Sequence, residues 1–380
     1  MNFDLTDEQL MVKQSAREFA EAELAHDAAE RDEKALFPRV AVKKMGELGF
    51  LGMLTPEQYG GSEMGMFNYI LALEEVSRVD ASACVIMSVT NSLCQYVINT
   101  YGTEDQKEKY LPRLGSGEQL GAYALSEPQS GSDAANMRTF AENKGDHYLL
   151  NGTKNWVTNG KSAGIYIVFA VTDRDMGHKG ISAFIVEGDR EGFTTGKKEN
   201  KLGIRSSDTC ELIFNDCKIP GENLIGEEGN GFKIAMDTLD GGRIGIAAQA
   251  LGIAQSALEK SLNYSKEREQ FGKPISKYQA IQFKLAQMGT ETEAARLLTY
   301  RAAIRREEGR RITREASMAK YYASEMAMRA AEEAVQIHGG YGYIQEYEVE
   351  RLMRDAKITQ IYEGTNEIQR TVIARELLNR

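Results

Sequence analysis

The chain has 380 residues, 42% hydrophobic and 27% charged, with 46 Lys and Arg against 56 Asp and Glu, for a formal charge of −10. That length exceeds one ordinary hydrophobic core, so two or three domains are expected. The acidic balance argues against a protein that grips nucleic acid through its phosphates, and Cys84, Cys94, Cys210 and Cys217, without CxxC spacing, give no zinc pattern and point to a reducing compartment.

Taken from the N-terminus, Met1-Asn2-Phe3-Asp4 lacks the basic-then-apolar order of a signal peptide. The longest apolar run, Ala163 to Val171, is too short to cross a bilayer, so no membrane insertion is expected. Residues 1–119 read as an N-terminal helical domain. Thr6 with Gln9 and Thr103 with Gln106 form capping boxes, and the apolar stretch Phe67 to Tyr101 fits two packed helices broken near Asp80. Residues 120–228 shift toward a period of two, with frequent turn signals, and read as a β sandwich or barrel. Within them, Asn151-Gly152 between Tyr148–Leu150 and Thr153–Val157 signals a hairpin. Ile165–Val171, Ile181–Val186 and Cys210–Phe214 are further strands. Residues 229–380 return to helical spacing, with helices over Ile234–Tyr264, Ser276–Glu308, Thr313–His338 and Ile368–Leu378 forming a four-helix bundle. The charged run Arg305 to Glu315 reads as solvated loop and helix ends. The expected fold is therefore α+β and multidomain: helices, a β domain, then a helical bundle.

No GxGxxG occurs, and the P-loop-like Gly160-Lys161-Ser162 has Asn155 where its first glycine belongs. Four stretches carry more. Tyr123 to Asp133 is a hydroxyl-rich loop with a glycine, suited to wrapping a planar or phosphorylated ligand and equally natural as a surface turn. Trp156, the only tryptophan, ends a strand beside polar residues, where it can stack on a ligand. Gln249 sits among Ile246, Ala247, Ala248, Leu251 and Ile253, which favours a buried glutamine over a solvent-facing one. Glu363 lies between Tyr362 and Gly364, just before a helix that Thr365 can cap, with Glu367 in the first turn. By spacing alone Glu363 is an acid complementing a helix dipole more readily than a base.

Tyr123–Asp133, Trp156-Val157-Thr158, Arg268-Glu269-Gln270-Phe271-Gly272, Gln336–Gly342 and Tyr362–Thr365 together resemble the acyl-CoA dehydrogenase family, in its order and along the whole chain. The resemblance implies that family's α–β–α fold and FAD as cofactor. Tyr123, Leu125, Ser126, Gly131 and Ser132 then match the loop around the flavin, Ser132 also meeting the CoA ester. Trp156, Val157 and Thr158 match the flavin face and edge. Arg268, Phe271, Gln336, Gly339 and Gly340 match contacts made by a neighbouring subunit, where arginine suits pyrophosphate. Thr365 and Glu367 match further positions near the cofactor. Gln279 matches another, although with Ser276 it also reads as a capping box. Asp240, Arg243, Tyr362 and Gly364 match the acyl-CoA channel.

The resemblance makes Glu363 the base that takes the pro-R α-proton, while the β-hydrogen leaves as hydride to flavin N5. The enolate oxygen is held by the Glu363 N–H and a ribityl hydroxyl. Some members place the base one position before Arg243; here that is Gly242, which leaves Glu363. The lack of arginine between Arg78 and Arg113 disfavours a glutaryl-type substrate. Gln249 and Thr359 match the floor of a short acyl pocket, so butyryl-CoA, oxidised to crotonyl-CoA, is the expected substrate. The resemblance further implies electron-transferring flavoprotein as acceptor and a homotetramer, a dimer of dimers. A bacterial cytoplasmic setting is expected, or the mitochondrial matrix for a processed eukaryotic form. The rival readings are a branched short-chain dehydrogenase (2-methylbutyryl or isobutyryl), an oxidase, and a non-catalytic binding protein.

Overall fold

The computed structural model describes residues 4–379; Arg380 and the first three residues of the stretch read for a leader lie outside it. The N-terminal helices are α1 (Asp7–Glu23), α2 (Ala28–Glu33), α3 (Arg39–Glu47), α4 (Gly65–Val79), α5 (Ala81–Ser88), α6 (Tyr96–Tyr101) and α7 (Glu104–Gly115). Both capping boxes form: Thr6 and Thr103 each accept from the backbone three residues on, and Gln9 and Gln106 reach back. Asp80 breaks α4 from α5 and caps α5 by accepting from the N–H groups of Ser82 and Ala83.

A π-helical turn, Val89–Gln95, joins α5 to α6. The stretch Ala81–Tyr101 is long and apolar enough to cross a bilayer, longer than the Ala163–Val171 run, but nearly all of it is buried inside the protein. It is a core helix.

The middle strands are β1 (Leu120–Ala124), β2 (Phe140–Asn143), β3 (His147–Thr158), β4 (Ala163–Val171), β5 (Ile181–Glu187), β6 (Phe193–Thr195), β7 (Thr209–Pro220) and β8 (Leu224–Ile225). They hydrogen-bond into one sheet in the order β6-β7-β3-β2-β4-β5-β8, with β1 parallel to β4. Successive residues of β4 divide between two cores. Ile165, Ile167 and Phe169 pack with Leu111, Leu114 and Ile234 from the helices. Tyr166 and Val168 pack with Phe184, Phe193 and Phe214 from other strands.

The expected hairpin at Asn151-Gly152 does not form. β3 runs straight through it, paired with β7, and the register slips between Leu150 and Gly152. The Asn151 side chain donates to Asp216 across the sheet and accepts from the Asp216 N–H, so its amide is committed to the neighbouring strand. Gly152 takes φ 142°, and a Cβ there would lie 2.7 Å from the Thr139 Cα. The Asn-Gly pair thus marks a bulge against a close backbone.

The C-terminal helices are α8 (Gly231–Glu267), α9 (Gln279–Glu307), α10 (Thr313–His338), α11 (Val349–Thr359) and α12 (Asn366–Leu378). α11 was not among the expected helices. The capping box expected at Ser276 and Gln279 is also absent: the helix begins at Gln279, with Tyr278 as its N-cap and no side-chain cap bond. The first and last helical sets share one core, in which Phe19, Leu73, Ile244, Met326 and Leu352 belong to a single apolar cluster.

Candidate active site

The site is built on the six residues between α11 and α12. Thr365 caps α12 by accepting from the Ile368 N–H, and Glu367 occupies its first turn. Glu363 and Gly364 are both left-handed, at φ 52° and 91°. For a glutamate that conformation costs about 1 kcal/mol or more, so surrounding groups must impose it. Gln369 Nε2 donates to the carbonyls of Glu363 (3.2 Å) and Gly364 (2.9 Å). Lys320 on α10 is fully buried, and its Nζ donates to the Gly364 carbonyl and to Asn366 Oδ1, each at 2.9 Å.

The turn drives the Glu363 carboxylate inward against α8. Its Oε2 is buried and has no hydrogen-bond partner. At Gly242 an added Cβ would lie 2.2 Å from that oxygen and 2.8 Å from Leu93 Cδ2, so the bare helix backbone is what makes room. The alternative position for a base is therefore the floor beneath Glu363. Burial pushes the Glu363 pKa up to about 7, against the opposing pull of Arg243 and Lys320.

The flanking residues gather around this carboxylate. Tyr362 donates to Gln249 Oε1, and Gln249, only 1% exposed, donates to the Ala81 carbonyl at 2.8 Å. Thr359 is fully buried, its hydroxyl turned back onto the Ala356 carbonyl at 2.7 Å. Arg243 pairs with Asp240 at 2.6 Å, and Thr313 donates to the other Asp240 oxygen. Burial raises the phenol pKa values of Tyr69, Tyr123 and Tyr362, and the field of Glu363 raises each further. Tyr123, Asp240, Arg243, Gln249, Tyr362 and Glu363 thus lie together, while Thr359 is buried in α11 with its hydroxyl on its own helix.

The loop after β1 has a tightly held base and an open tip. Glu127 and Ser130 exchange both backbone hydrogen bonds. The Glu127 carboxylate accepts from Lys154 Nζ at 2.8 Å and from the Thr139 N–H at 2.9 Å. Burial alone would raise the Glu127 pKa, but Lys154 and those donors hold it near 2. Leu125 is buried and Ser126 half-buried, while Gly131 and Ser132 are exposed. Trp156 stands at the end of β3 with φ 60° and 62% exposure; Val157 beside it is buried and Thr158 half-buried.

A second group lies apart. Arg268, Gly339 and Gly340, with Tyr264, His338 and Tyr341, line a cavity of about 500 Å³. Phe271 is 95% exposed at φ 52°, and Gln279 and Gln336 are exposed. From Arg243 to Arg268 along α8 is roughly 38 Å at the helical rise, so one chain does not bring this group to Glu363. Sequence reasoning missed Lys320, Ser324, Asn366, Gln369 and the Glu127–Lys154 pair. Lys320 had a usable signal: it falls on the stripe Ala316, Ala319, Lys320, Ala323, Ala327, the buried face of α10.

Three family models match: "Acyl-CoA dehydrogenase, N-terminal domain" over residues 6–118, the middle domain over 122–217 and the C-terminal domain over 229–378. The chain is 53% identical over 382 residues to the short-chain specific acyl-CoA dehydrogenase of Megasphaera elsdenii, covering 100% of both. It superposes on the structure of butyryl-CoA dehydrogenase from Megasphaera elsdenii with a TM-score of 0.98, at 52% identity over 100% of both chains. It also superposes on a chain of the structure described as the electron transferring flavoprotein of Acidaminococcus fermentans. There the TM-score is 0.99 and the identity 53%, again over 100% of both chains.

Proposed function

Since this chain belongs to the acyl-CoA dehydrogenase family, we propose that Glu363 is the base with which it draws the α-proton from a short acyl-CoA. The enzyme is an oxidoreductase acting on CH–CH bonds, of the short-chain, butyryl-CoA type; it uses FAD and is associated with electron-transferring flavoprotein. The observation that carries the proposal is Glu363 Oε2, buried and unpartnered over the bare backbone of Gly242. An unsatisfied buried carboxylate is costly, and a base poised near the working pH is what such a cost obtains.

The residues also fit the cofactor. Trp156 presents a large apolar face to the outside at a strained backbone angle, and nothing lies within 4 Å of where a Cβ would stand at Gly131 or Gly340. Tyr123, Leu125, Ser126, Gly131, Ser132, Trp156, Val157 and Thr158, with Thr365 and Glu367, would hold FAD in its own chain. When bound, FAD supplies the acceptor for the substrate's β-hydrogen. Arg268, Phe271, Gln279, Gln336, Gly339 and Gly340 would reach the FAD of a neighbouring copy, because α8 carries them too far from their own Glu363. The active form is then an oligomer, a homotetramer by the family's pattern. A bacterial cytoplasmic location belongs to the same reading.

In this arrangement the ionised Glu363 oxygen accepts the α-proton as the α-C–H bond breaks, and the electron pair moves into the thioester. The Glu363 N–H donates to the thioester oxygen as its charge grows. Asp240 and Arg243 line the channel, with Ser132 and Gly364 beside the thioester. Gln249, Thr359 and Tyr362 close the far end to chains much longer than four carbons. The test is anaerobic bleaching of bound FAD by CoA esters of four, six and eight carbons and by branched esters. The four-carbon ester should bleach fastest; a preference for eight carbons over four would remove the short-pocket reading.

A further inference from the structure

Resting on the reading of Glu363 as the base, we propose that Lys320 is a positioning residue for it, a buried cation that clamps the Glu363–Gly364 turn and favours the ionised carboxylate. The first part of the argument is geometric. Lys320 is fully buried, and its Nζ is spent on two acceptors, the Gly364 carbonyl and Asn366 Oδ1, both at 2.9 Å. Those acceptors bracket the left-handed turn. Asn366 is itself fixed by Ser324 and Glu325, and Gln369 holds the carbonyls of Glu363 and Gly364 from the other side. A buried lysine side chain loses its rotamer freedom and is desolvated besides. A structural clamp could be made with a neutral donor. The charge has another use.

That use is electrostatic. The groups facing Glu363 are Arg243 from α8, Lys320 from α10, and the phenols of Tyr69 from α4, Tyr123 from β1 and its neighbour Tyr362. Only Arg243 and Lys320 are cationic, and Arg243 is already paired with Asp240 at 2.6 Å. Lys320 faces Glu363, Arg243, Glu325 and Glu367. Burial lowers its pKa to about 7, and Glu363 is the strongest influence in the opposite direction. The two groups favour each other's charge, with Lys320 and Glu363 Oε2 both buried. Each acceptor also keeps a second donor, Gln369 Nε2 for Gly364 and Ser324 Oγ for Asn366, so the turn can survive loss of the lysine.

The experiment uses FAD-loaded enzyme carrying Lys320→Met, Lys320→Arg or Glu363→Gln. Ionisation of Glu363 is read by infrared difference spectroscopy of its protonated carboxyl band, assigned by its absence from Glu363→Gln. The rate of bleaching by butyryl-CoA is followed across pH in parallel. In Lys320→Met the midpoint of both should rise by roughly one pH unit, lowering the bleaching rate at pH 7 about five-fold and recovering it at high pH. Lys320→Arg should keep the midpoint low. An unmoved midpoint in Lys320→Met, whether the rate is unchanged or reduced equally at every pH, overturns the proposal. If Lys320→Met yields no holoenzyme, Lys320→Gln, which keeps a donor without the charge, is read by the same criterion. Failure of the underlying reading looks different: Glu363→Gln would then bleach at near the unmodified rate.

Discussion

Replacing Gly242 with alanine places a methyl group 2.2 Å from Glu363 Oε2 and 2.8 Å from Leu93 Cδ2, where ordinary contact begins at 3.4 Å. The carboxylate is the free end of a side chain and can swing away, so the fold absorbs the change. Alanine gains about 1 kcal/mol of helix propensity over glycine, and crowding of Leu93 costs about 1–3 kcal/mol. The net effect on stability is within about 2 kcal/mol. Catalysis has no such compensation. Clearing the methyl takes the carboxylate more than 1 Å from its place, and a misplacement of that size costs on the order of 100-fold in rate. Gly242→Ala should therefore bind FAD, melt close to the unmodified enzyme, and be bleached by butyryl-CoA about 100 times more slowly in an anaerobic stopped-flow mixing experiment. Bleaching within three-fold of the unmodified rate (roughly 0.6 kcal/mol), with FAD bound, would refute the idea that this glycine holds the space for the base.

Glu363→Gln should retain FAD and lose bleaching. It should also be the more stable protein at pH 8, because burial raises the Glu363 pKa from 4.5 to about 7. The folded state then binds the proton more tightly than the unfolded state, so stability falls as pH rises from 4.5 to 7, by up to roughly 3 kcal/mol. Equal melting temperatures for the two proteins at pH 8 would contradict this. The bleaching rate of the unmodified enzyme should climb through about pH 7 as Glu363 ionises; a flat profile between pH 5.5 and 8.5, over which the ionised fraction changes about thirty-fold, would count against it. Gln249→Ala opens the pocket floor, and two further methylenes are worth about 1.6 kcal/mol. The six- to four-carbon ratio of kcat/KM should rise about ten-fold. Phe271 is 95% exposed, so Phe271→Ala should leave secondary structure intact while weakening FAD retention and lowering the assembled mass by light scattering.

What the sequence disclosed and what it hid divide by range. The capping boxes at Thr6 and Thr103 and the cap at Thr365 were legible because the partners lie three residues apart. The same local logic failed where a distant strand or turn outweighed it. Asn151-Gly152 has ideal turn chemistry, but Asp216 and Thr139 claim it from across the sheet. Ser276 and Gln279 have cap spacing, but Ser276 is taken up in a separate 3-10 turn, Ile275–Lys277, and the extended Tyr278 becomes the N-cap. α11 escaped because its start is a left-handed Glu348 with no side-chain cap. Within the site, Glu363 was singled out through resemblance, whereas its support was not: Gln369 lies in the next turn but its bonds to the Glu363 and Gly364 carbonyls depend on the left-handed backbone there, and Lys320 reaches the turn from α10.

α8 runs 37 residues without interruption, from Gly231 to Glu267. It carries the floor of the base at Gly242, the channel pair Asp240 and Arg243, and the pocket floor Gln249, and it ends at Arg268. A helix is a screw as well as a rod. Inserting or deleting a single residue between Gly242 and Gln249 would turn everything beyond it by about 100°, swinging Gln249 off the acyl pocket while leaving Gly242 beneath Glu363. A single-residue change between Gln249 and Arg268 would leave Gly242 and Gln249 in place and turn Arg268 and the segment after it away from their present position. The spacing along this helix is thus fixed to the residue, and changes in length have to be taken up by the loops at either end.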